Sequence, residues 1–150
     1  MNDRHAFGLL VTGDYFRVLG VDAALGRTLL PEDSSVPGRE AVVVLSAAAW
    51  QTRFGADPEI VGKRITLRGY PFRVVGVAKP GFRGLGDRPT DFWAPLTVSA
   101  LLQTGPDLFG PDIPRSVSIV GRLRPGHSLS QCRASVSVWM ERNRKARSSD

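Results

Sequence analysis

The stretch "DPEIVGKRITLRGYPFRVVGVAKPGFRG", residues 57–84, predicts a capped turn, a strand, a bend, a second strand and a glycine-rich loop. Asp57 is suited to cap the turn, Pro58 to be its first helical residue and Gly62 to end it. The stretch has no histidine or cysteine, and its acidic residues lie only at its start. It therefore favours a structural role over a chemical one.

The two strands of this stretch are predicted to form an antiparallel hairpin. "KRITLRG" alternates between apolar and polar residues, and "PFRVVGVA" begins with the same alternation before it becomes apolar on both faces. Pro71 would close a two-residue turn, where its missing N–H could not complete the turn hydrogen bond. We therefore expect a longer connection through Gly69 and Tyr70.

The residues before the hairpin predict a strand, a helix, a loop and then a second strand and helix. A short strand over Phe7 to Val11 is followed by a short helix, which Thr12 or Asp14 caps and Gly20 ends. "ALGRTLLPEDSSVPGRE", residues 24–40, is interpreted as a surface loop because of its prolines, serines and acids.

A second strand and helix precede the hairpin directly. "AVVVLS" is apolar throughout, which is typical of a strand buried on both faces. Ser46 then caps the helix "AAAWQTRFG", in which Trp50 and Phe54 lie one turn apart and Gly55 follows the last turn.

The residues after the hairpin predict a further strand and two helices. "DFWAPL" is predicted to be extended, "TVSALLQTG" to be a short helix, and "SVSIVGRLRPG", residues 116–126, to be a strand. "LSQCRASVSVWMERNRKAR", residues 129–147, follows helical spacing, with Ser128 or Ser130 at its start. Together the elements predict an α+β fold.

Composition limits the class of protein. The chain has 150 residues, 42% of them apolar, as expected of one globular domain. Its longest apolar run, residues 41–50, falls well short of the roughly 20 residues that span a bilayer. The start of the chain has no signal-peptide pattern, so its own signals favour the cytoplasm. The one cysteine, Cys132, excludes an internal disulfide and a cysteine-rich zinc site, and we expect no metal or cofactor.

A net charge of +6 raises the question of an anionic partner. The arginines are spread singly until the tail "ERNRKARSS", so we expect no nucleic acid as partner. The alternative function is a basic binding module for nucleic acid or an anionic membrane surface. It would depend on the cluster in that tail, which comprises Arg142, Arg144, Lys145 and Arg147.

No group of residues predicts catalysis. Glu32 and Asp33 lie in a loop, where a solvated or capping role is favoured over acid–base work. His5 and His127 have no metal-ligand partners at suitable spacing. Ser46 lacks the flanking glycines of a nucleophile elbow and is already explained as a helix cap. We therefore expect a non-enzymatic protein.

The glycine-rich loop contains the candidate contact residues. "GFRGLG" does not open a helix, so it does not match a phosphate-binding or dinucleotide-binding turn. Phe82, Arg83 and Leu85 combine apolar side chains with arginine, which is typical of an interface. An alternative that stays open is a lid that tucks Phe82 into the core.

The order of motifs resembles a known family. The series "VTGDYFRVLGVDAALGRTLLPED", "VVVLSAAAWQTRFGADPEIVGKRITLRGYPFRVVGVAKPGFRGL", "DFWAPL" and "VGRLRPGHSLSQCRASV" resembles the MacB-like periplasmic core domain of ABC-transporter permeases in the MacB/FtsX superfamily. "PGFRGL" and "GRLRPG" are most similar to the branch called acidobacterial duplicated orphan permeases. The resemblance runs from about Leu10 to Val138.

The resemblance implies one partial domain over residues 1–150 with two lobes. Residues 8–33 and 116–147 would form a porter-like α/β lobe, and residues 41–96 a smaller strand-rich insert. It also implies that the first transmembrane helix and later helices of the permease are missing. The chain would then be the product of a truncated gene or a mis-assigned start, or an excised piece.

The resemblance implies a function without chemistry in this domain. The domain would lie on the periplasmic side of the inner membrane and relay ATP-driven motion to exported substrates or partner proteins. Its partners would be the transmembrane part of the permease, a separate ATPase subunit and a second permease half.

Overall fold

The computed structural model describes residues 6–34, 41–102 and 118–147. The chain divides into two compact units, Met1–Ile119 and Val120–Asp150. Each unit is described by itself below.

The described part of the first unit contains six strands and three α-helices. The strands are β1 (Gly8–Val11), β2 (Ala23–Gly26), β3 (Val42–Leu45), β4 (Arg64–Leu67), β5 (Tyr70–Ala78) and β6 (Phe92–Pro95). The helices are α1 (Tyr15–Leu19), α2 (Ala47–Phe54) and α3 (Ser99–Leu102), and short 3-10 helices span Pro31–Ser34 and Leu96–Val98. The predicted α+β fold is confirmed.

All six strands belong to one mixed sheet with the order β1-β6-β3-β5-β2, and β4 also pairs with β5. The β1/β6 and β3/β5 pairs are parallel, and the other pairs are antiparallel. β5 is long enough to pair with three strands: its first residues bond β4, its last bond β2, and β3 lies along the strand. It therefore pairs with more strands than any other strand in the described part of the unit.

The central strands β3 and β6 are buried on both faces, which explains the uninterrupted apolar sequence of β3. Val43 and Leu45 pack into one core cluster with Phe72 of β5 and the side chains of α2. Val42 and Val44 point the other way and pack with Phe16 of α1 and Trp93 of β6. Successive strand residues alternate between faces, so β3 supplies both cores.

Most of the predicted helix ends are confirmed. The Ser46 hydroxyl accepts the Ala49 N–H at 3.1 Å at the start of α2, and Gly55 follows its end with φ of 61°. Gly20 ends α1 in the same left-handed conformation. The expected side-chain cap of α1 is not formed, because the Asp14 carboxylate accepts a 2.6 Å hydrogen bond from Arg17 instead.

The prediction of a loop over residues 24–40 is wrong at its start, because β2 occupies Ala23–Gly26. β2 is an edge strand with small residues, and its register against β5 is irregular between Ala23 and Leu25. Its sequence, AALG, has no β-branched or aromatic residue, and these are the residue types enriched in strands. The pairing with β5 defines it instead.

The hairpin prediction is confirmed for both strands and wrong for the turn. Leu67 pairs with Tyr70, so the turn has two central residues, Arg68 and Gly69, with φ of 50° and 85°. Positive φ at both positions is the requirement of a type I′ turn, whose twist suits a hairpin. Pro71 is one residue beyond the closing pair, opposite Thr66. Because paired positions in an antiparallel ladder alternate in hydrogen bonding, its missing N–H is not needed there.

In the turn before β4, the predicted cap at Asp57 is confirmed. The Asp57 carboxylate accepts the Glu59 N–H at 2.9 Å, and the Ile60 N–H donates to the Asp57 carbonyl at 3.2 Å. Gly62 follows with φ of 91°.

The second unit contains α4 (Leu129–Arg147), which confirms the predicted terminal helix. Ser128 and Gln131 form a reciprocal cap: the Gln131 N–H donates to the serine hydroxyl and the Ser128 N–H to the Gln131 side-chain oxygen. The predicted strand over 116–126 is not found, since residues 118–124 have no strand pairing among the described residues. Its first two residues, like 103–105 of the predicted helix before it, lie outside the described residues.

The division into an 8–33 plus 116–147 lobe and a 41–96 insert stays a prediction. Strands from 8–33 and from 41–96 share the one sheet described above. No helix within the described residues is both long and apolar enough to cross a bilayer.

Candidate functional site

The candidate site is the connection between β5 and β6, residues 79–91, which is called the Phe82 loop below. It contains all three residues that the sequence predicts as partner contacts, Phe82, Arg83 and Leu85. The structure separates them by exposure: Phe82 is half-buried, whereas Arg83 and Leu85 are exposed.

Phe82 anchors the loop on an aromatic cluster. Its ring stacks on the indole of Trp93, with centroids 5.2 Å apart, and lies 5.9 Å from the ring of Phe16. Phe16 and Trp93 are themselves in edge contact at 5.4 Å, and Tyr15 meets Phe16 edge-on at the same distance. The cluster joins α1, β6 and the Phe82 loop on one face of the sheet.

Backbone contacts close the base of the Phe82 loop. The Phe82 N–H donates to the Lys79 carbonyl at 3.2 Å, and the Thr90 N–H donates to the Arg83 carbonyl at 3.1 Å. Gly81 and Gly84 have φ of 87° and 89°, a left-handed conformation that other residues adopt at a cost. The turn geometry of the loop therefore depends on its glycines.

The tip of the Phe82 loop, residues 83–88, presents apolar and basic groups to solvent. The Leu85 side chain is 55% exposed beside the exposed Arg83. Further along, the guanidinium of Arg88 lies over the ring of Phe7, 5.0 Å from its centroid. This mixture of an exposed leucine with arginines is chemically suited to contact with another protein.

Three buried polar atoms lie where the Phe82 loop meets the core. The Tyr15 hydroxyl, Trp93 Nε1 and Thr90 Oγ1 make no hydrogen bond of ordinary geometry within the described residues. Burial raises the pKa of Tyr15, while the nearby Trp93 side chain and Leu85 backbone lower it by less. The Tyr15 hydroxyl thus faces the loop backbone and the indole without a well-formed bond to either.

The other sequence candidates are dispersed and have structural partners. Ser46 is 3% exposed and caps α2. Arg27 donates to both oxygens of Asp33, and the exposed His127 lies beside the Pro125 carbonyl. His5 lies outside the described residues. Within the described ranges, no three histidine, cysteine, aspartate or glutamate side chains form a group that could hold a metal.

Sequence reasoning missed the floor of the site, namely Tyr15, Trp93 and Thr90. The available signal was the two aromatic pairs, Tyr15–Phe16 and Phe92–Trp93. The pairing of β1, which α1 follows in the chain, with β6 brings α1 and β6 under the same loop.

Comparison with known proteins matches this chain to one protein family and to curated relatives named MacB. The family model for the MacB-like periplasmic core domain matches residues 2–137. The macrolide export ATP-binding/permease protein MacB of Shigella dysenteriae serotype 1 is 35% identical over 89 residues, which are 59% of this chain and 13% of that protein. The protein of the same name from Escherichia coli strain K12 is 38% identical over 69 residues, or 46% of this chain and 10% of that protein.

A solved structure shares the fold. The periplasmic region of MacB from Actinobacillus actinomycetemcomitans superposes with a TM-score of 0.61 at 22% identity. The superposition covers 89% of this chain and 55% of the solved one. The matched region of this chain is thus about half of that periplasmic region and about a tenth of the curated relatives.

Proposed function

This chain belongs to the MacB-like periplasmic core domain family, and on that basis we propose that it relays ATP-driven movement of an ABC-transporter permease to exported substrates or partner proteins. The domain does this without catalysing a reaction. The observation that carries the proposal is the family match over residues 2–137, nearly the whole chain.

The sheet suits a mechanical role. Its central strands are buried on both faces, and β5 is bonded to three neighbours. Close-packed interiors have low compressibility and transmit displacement, so a push at one edge of the sheet moves the whole unit. A relay domain needs this stiffness and needs no reactive group.

The proposed partners are the transmembrane part of the permease, a separate ATPase subunit and a second permease half. The names of the relatives above pair ATP-binding with permease functions, which supports an ATPase partner in general. The proposed location is the periplasmic side of the inner membrane, in keeping with the family description.

The Phe82 loop is the proposed contact surface. Phe82 fixes the loop on the sheet by its 5.2 Å stack on Trp93, while Leu85 and Arg83 face outward. An exposed apolar side chain beside an arginine, next to a buried aromatic anchor, is typical of a protein interface.

Site-specific photo-crosslinking tests this proposal in the complete permease with its ATPase. A photoreactive amino acid replaces Leu85, and in a matched control it replaces Tyr70, which is 46% exposed at the hairpin turn. We expect a crosslink from position 85 to another component of the transporter, with a yield that changes between ATP-bound and nucleotide-free membranes. Equal, nucleotide-independent yields at both positions would contradict the proposed relay through this loop.

A further inference from the structure

We propose that α4 carries a docking seam for an amphipathic helix with acidic flanks, supplied by another protein. The α4 seam is defined by Leu129, Cys132, Val136, Trp139 and Asn143. This goes beyond the relay role, since it assigns a second binding surface, and a partner of stated chemistry, to the second unit. It does not depend on the Phe82 loop.

The spacing of the α4 seam is that of a coiled coil. Its members alternate between steps of three and four residues, so they occupy positions a and d of two successive heptads and the start of a third. A repeat of this kind keeps one narrow stripe of a helix turned toward a second helix. A helix that covers a globular core has a broader apolar face. The seam therefore suits one partner helix.

The apolar side chains of the α4 seam are exposed. Leu129, Val136 and Trp139 all face solvent, Trp139 with 59% of its surface, and Cys132 is partly exposed. Large apolar side chains that share one exposed stripe mark an interaction site. Tryptophan is also among the residues that contribute most to binding energy at interfaces. Trp139 is thus the expected anchor of the seam.

The charges beside the α4 seam select the partner. Arg133 and Arg142 are exposed at positions e and g, which border the seam and set partner choice in coiled coils. Glu141 is the only acidic residue in the sequence of α4, and it lies at position f, away from the seam. A second copy of the chain would place arginines beside arginines, which opposes self-pairing. Acidic residues at the flanking positions of the partner would attract them instead.

The two ends of the α4 seam are defined. The reciprocal cap of Ser128 and Gln131 starts the helix directly before Leu129. At the other end the polar Asn143 occupies position a, and its Nδ2 donates to the Trp139 carbonyl at 2.8 Å. A single asparagine at position a specifies the register of a helix pair, at a cost in stability.

A membrane surface fits α4 less well. A helix that lies in the bilayer interface needs a wide apolar face opposite its charged one. Beside the seam α4 carries Arg133 and Ser135, and behind it Ser130 and Ser137. The exposed Val138 lies at position c, on the side away from the seam. The apolar area is thus a stripe that one helix can cover.

Designed peptides test the proposal on the 150-residue chain, kept in reductant so that Cys132 forms no disulfide. The first peptide has about three heptads with leucine at a and d, one asparagine at a, and glutamate at e and g. The second differs only in having lysine at e and g. Fluorescence anisotropy of the labelled peptides measures binding. We expect the glutamate peptide to bind about tenfold more tightly than the lysine peptide, because the flanking charges attract the first and repel the second.

Two valines of nearly equal exposure provide a matched pair of variants. Val136 is 47% exposed within the seam, and Val138 is 49% exposed outside it on the same helix. Val136→Ser should weaken binding of the glutamate peptide about tenfold, whereas Val138→Ser should leave it unchanged.

A charge reversal gives a gain of binding, which a misfolded chain could not show. The double variant Arg133→Glu, Arg142→Glu should prefer the lysine peptide to the glutamate peptide. Circular dichroism confirms that each variant keeps its helix content.

Three results would overturn the proposal. Equal weakening by the two valine variants would mean that the seam is not the contact. Equal binding of the two peptides, or no binding of either, would mean that no acidic helix is selected. Self-association of the chain that Val136→Ser abolishes, or binding to phosphatidylglycerol vesicles in preference to the glutamate peptide, would assign the seam to a different occupant. None of these results bears on the crosslinking test of the relay function.

Discussion

Arg27 holds Asp33 by two hydrogen bonds, of 2.6 Å and 2.9 Å, in a fork-to-fork arrangement. The same carboxylate accepts the Leu30 N–H at 2.9 Å. The pair thus ties the end of β2 to the 3-10 helix at Pro31–Ser34. Asp33, one of the two acidic residues considered for acid–base catalysis, therefore forms a structural ion pair with Arg27.

The first prediction concerns pH. Burial by itself raises the pKa of Asp33, but the hydrogen bonds from Arg27 and Leu30 and the charges of Arg27 and Arg73 outweigh it and hold the pKa below its usual value. A carboxyl with a lowered folded-state pKa stabilises the fold above its unfolded pKa of about 3.9, and this contribution is lost as pH falls toward the folded value.

Asp33→Asn should therefore lower the free energy of unfolding by about 1–2 kcal/mol at pH 7, a range reduced for the partial exposure of Arg27. The difference from the parent chain should shrink below about pH 4. Urea unfolding at several pH values measures it. Asp14→Asn is the control, because the Asp14–Arg17 pair is exposed. An Asp33→Asn deficit that is the same at pH 7 and pH 3 would refute the prediction.

The second prediction concerns Gly76 in β5. A β-carbon there would overlap the carbonyl oxygen of Arg27 and approach that of Leu25 to 2.7 Å, both on the backbone beside it. Gly76→Ala should destabilise the chain by about 3 kcal/mol or more, since backbone cannot move aside cheaply. Gly86→Ala, with open space around it, is the matched control. Thermal unfolding compares the two, and equal melting temperatures would show that β2 is not packed as described.

The third prediction concerns Ser46. Ser46→Ala removes the 3.1 Å cap of α2 and should cost about 1 kcal/mol of stability. Thr52→Ala, on the exposed side of the same helix, should change stability by less than about 0.5 kcal/mol. Ser46 should also resist labelling by a serine-hydrolase phosphonylating probe in the folded chain. Labelling at Ser46 would reopen the nucleophile interpretation.

The fourth prediction separates the alternative function from the proposed one. We expect no retention of the chain on DNA or anionic vesicles at physiological salt, because its arginines are scattered. The alternative predicts salt-dependent retention that is lost when the tail cluster, Arg142, Arg144, Lys145 and Arg147, is neutralised. A control variant neutralises four exposed arginines of the first unit, namely Arg17, Arg64, Arg68 and Arg83. Selective loss in the tail variant would favour the binding module.

Local signals in the sequence predicted the elements that they control. The apolar run of β3, the cap at Ser46 and the left-handed glycines at Gly20 and Gly55 act within a few residues, and the structure has each of them. β2 was missed because pairing with β5, not its own composition, makes it a strand. The strand predicted over 116–126 shows the converse: its described part, residues 118–126, alternates in sequence but has no strand pairing among the described residues.

The candidate site was predictable in part. The exposed tip of the Phe82 loop followed from the residue types of Arg83 and Leu85. The turn at Arg68 and Gly69 was misplaced because Pro71 was assigned to the closing pair, which is one residue earlier. The buried hydroxyls of Tyr15 and Thr90 could not be foreseen, because they become neighbours of the loop only through contacts between distant parts of the chain.

The sheet order has a consequence for biosynthesis. Within the described residues, β1, β2 and β3 pair only with β5 and β6. Gly8 in β1 therefore has no paired strand until Phe92 in β6 has been synthesised. A nascent chain that has emerged only as far as α2 has apolar strands and nothing to bond them. Such non-local pairing slows folding. During that interval the apolar strands have unpaired edges, which favour aggregation.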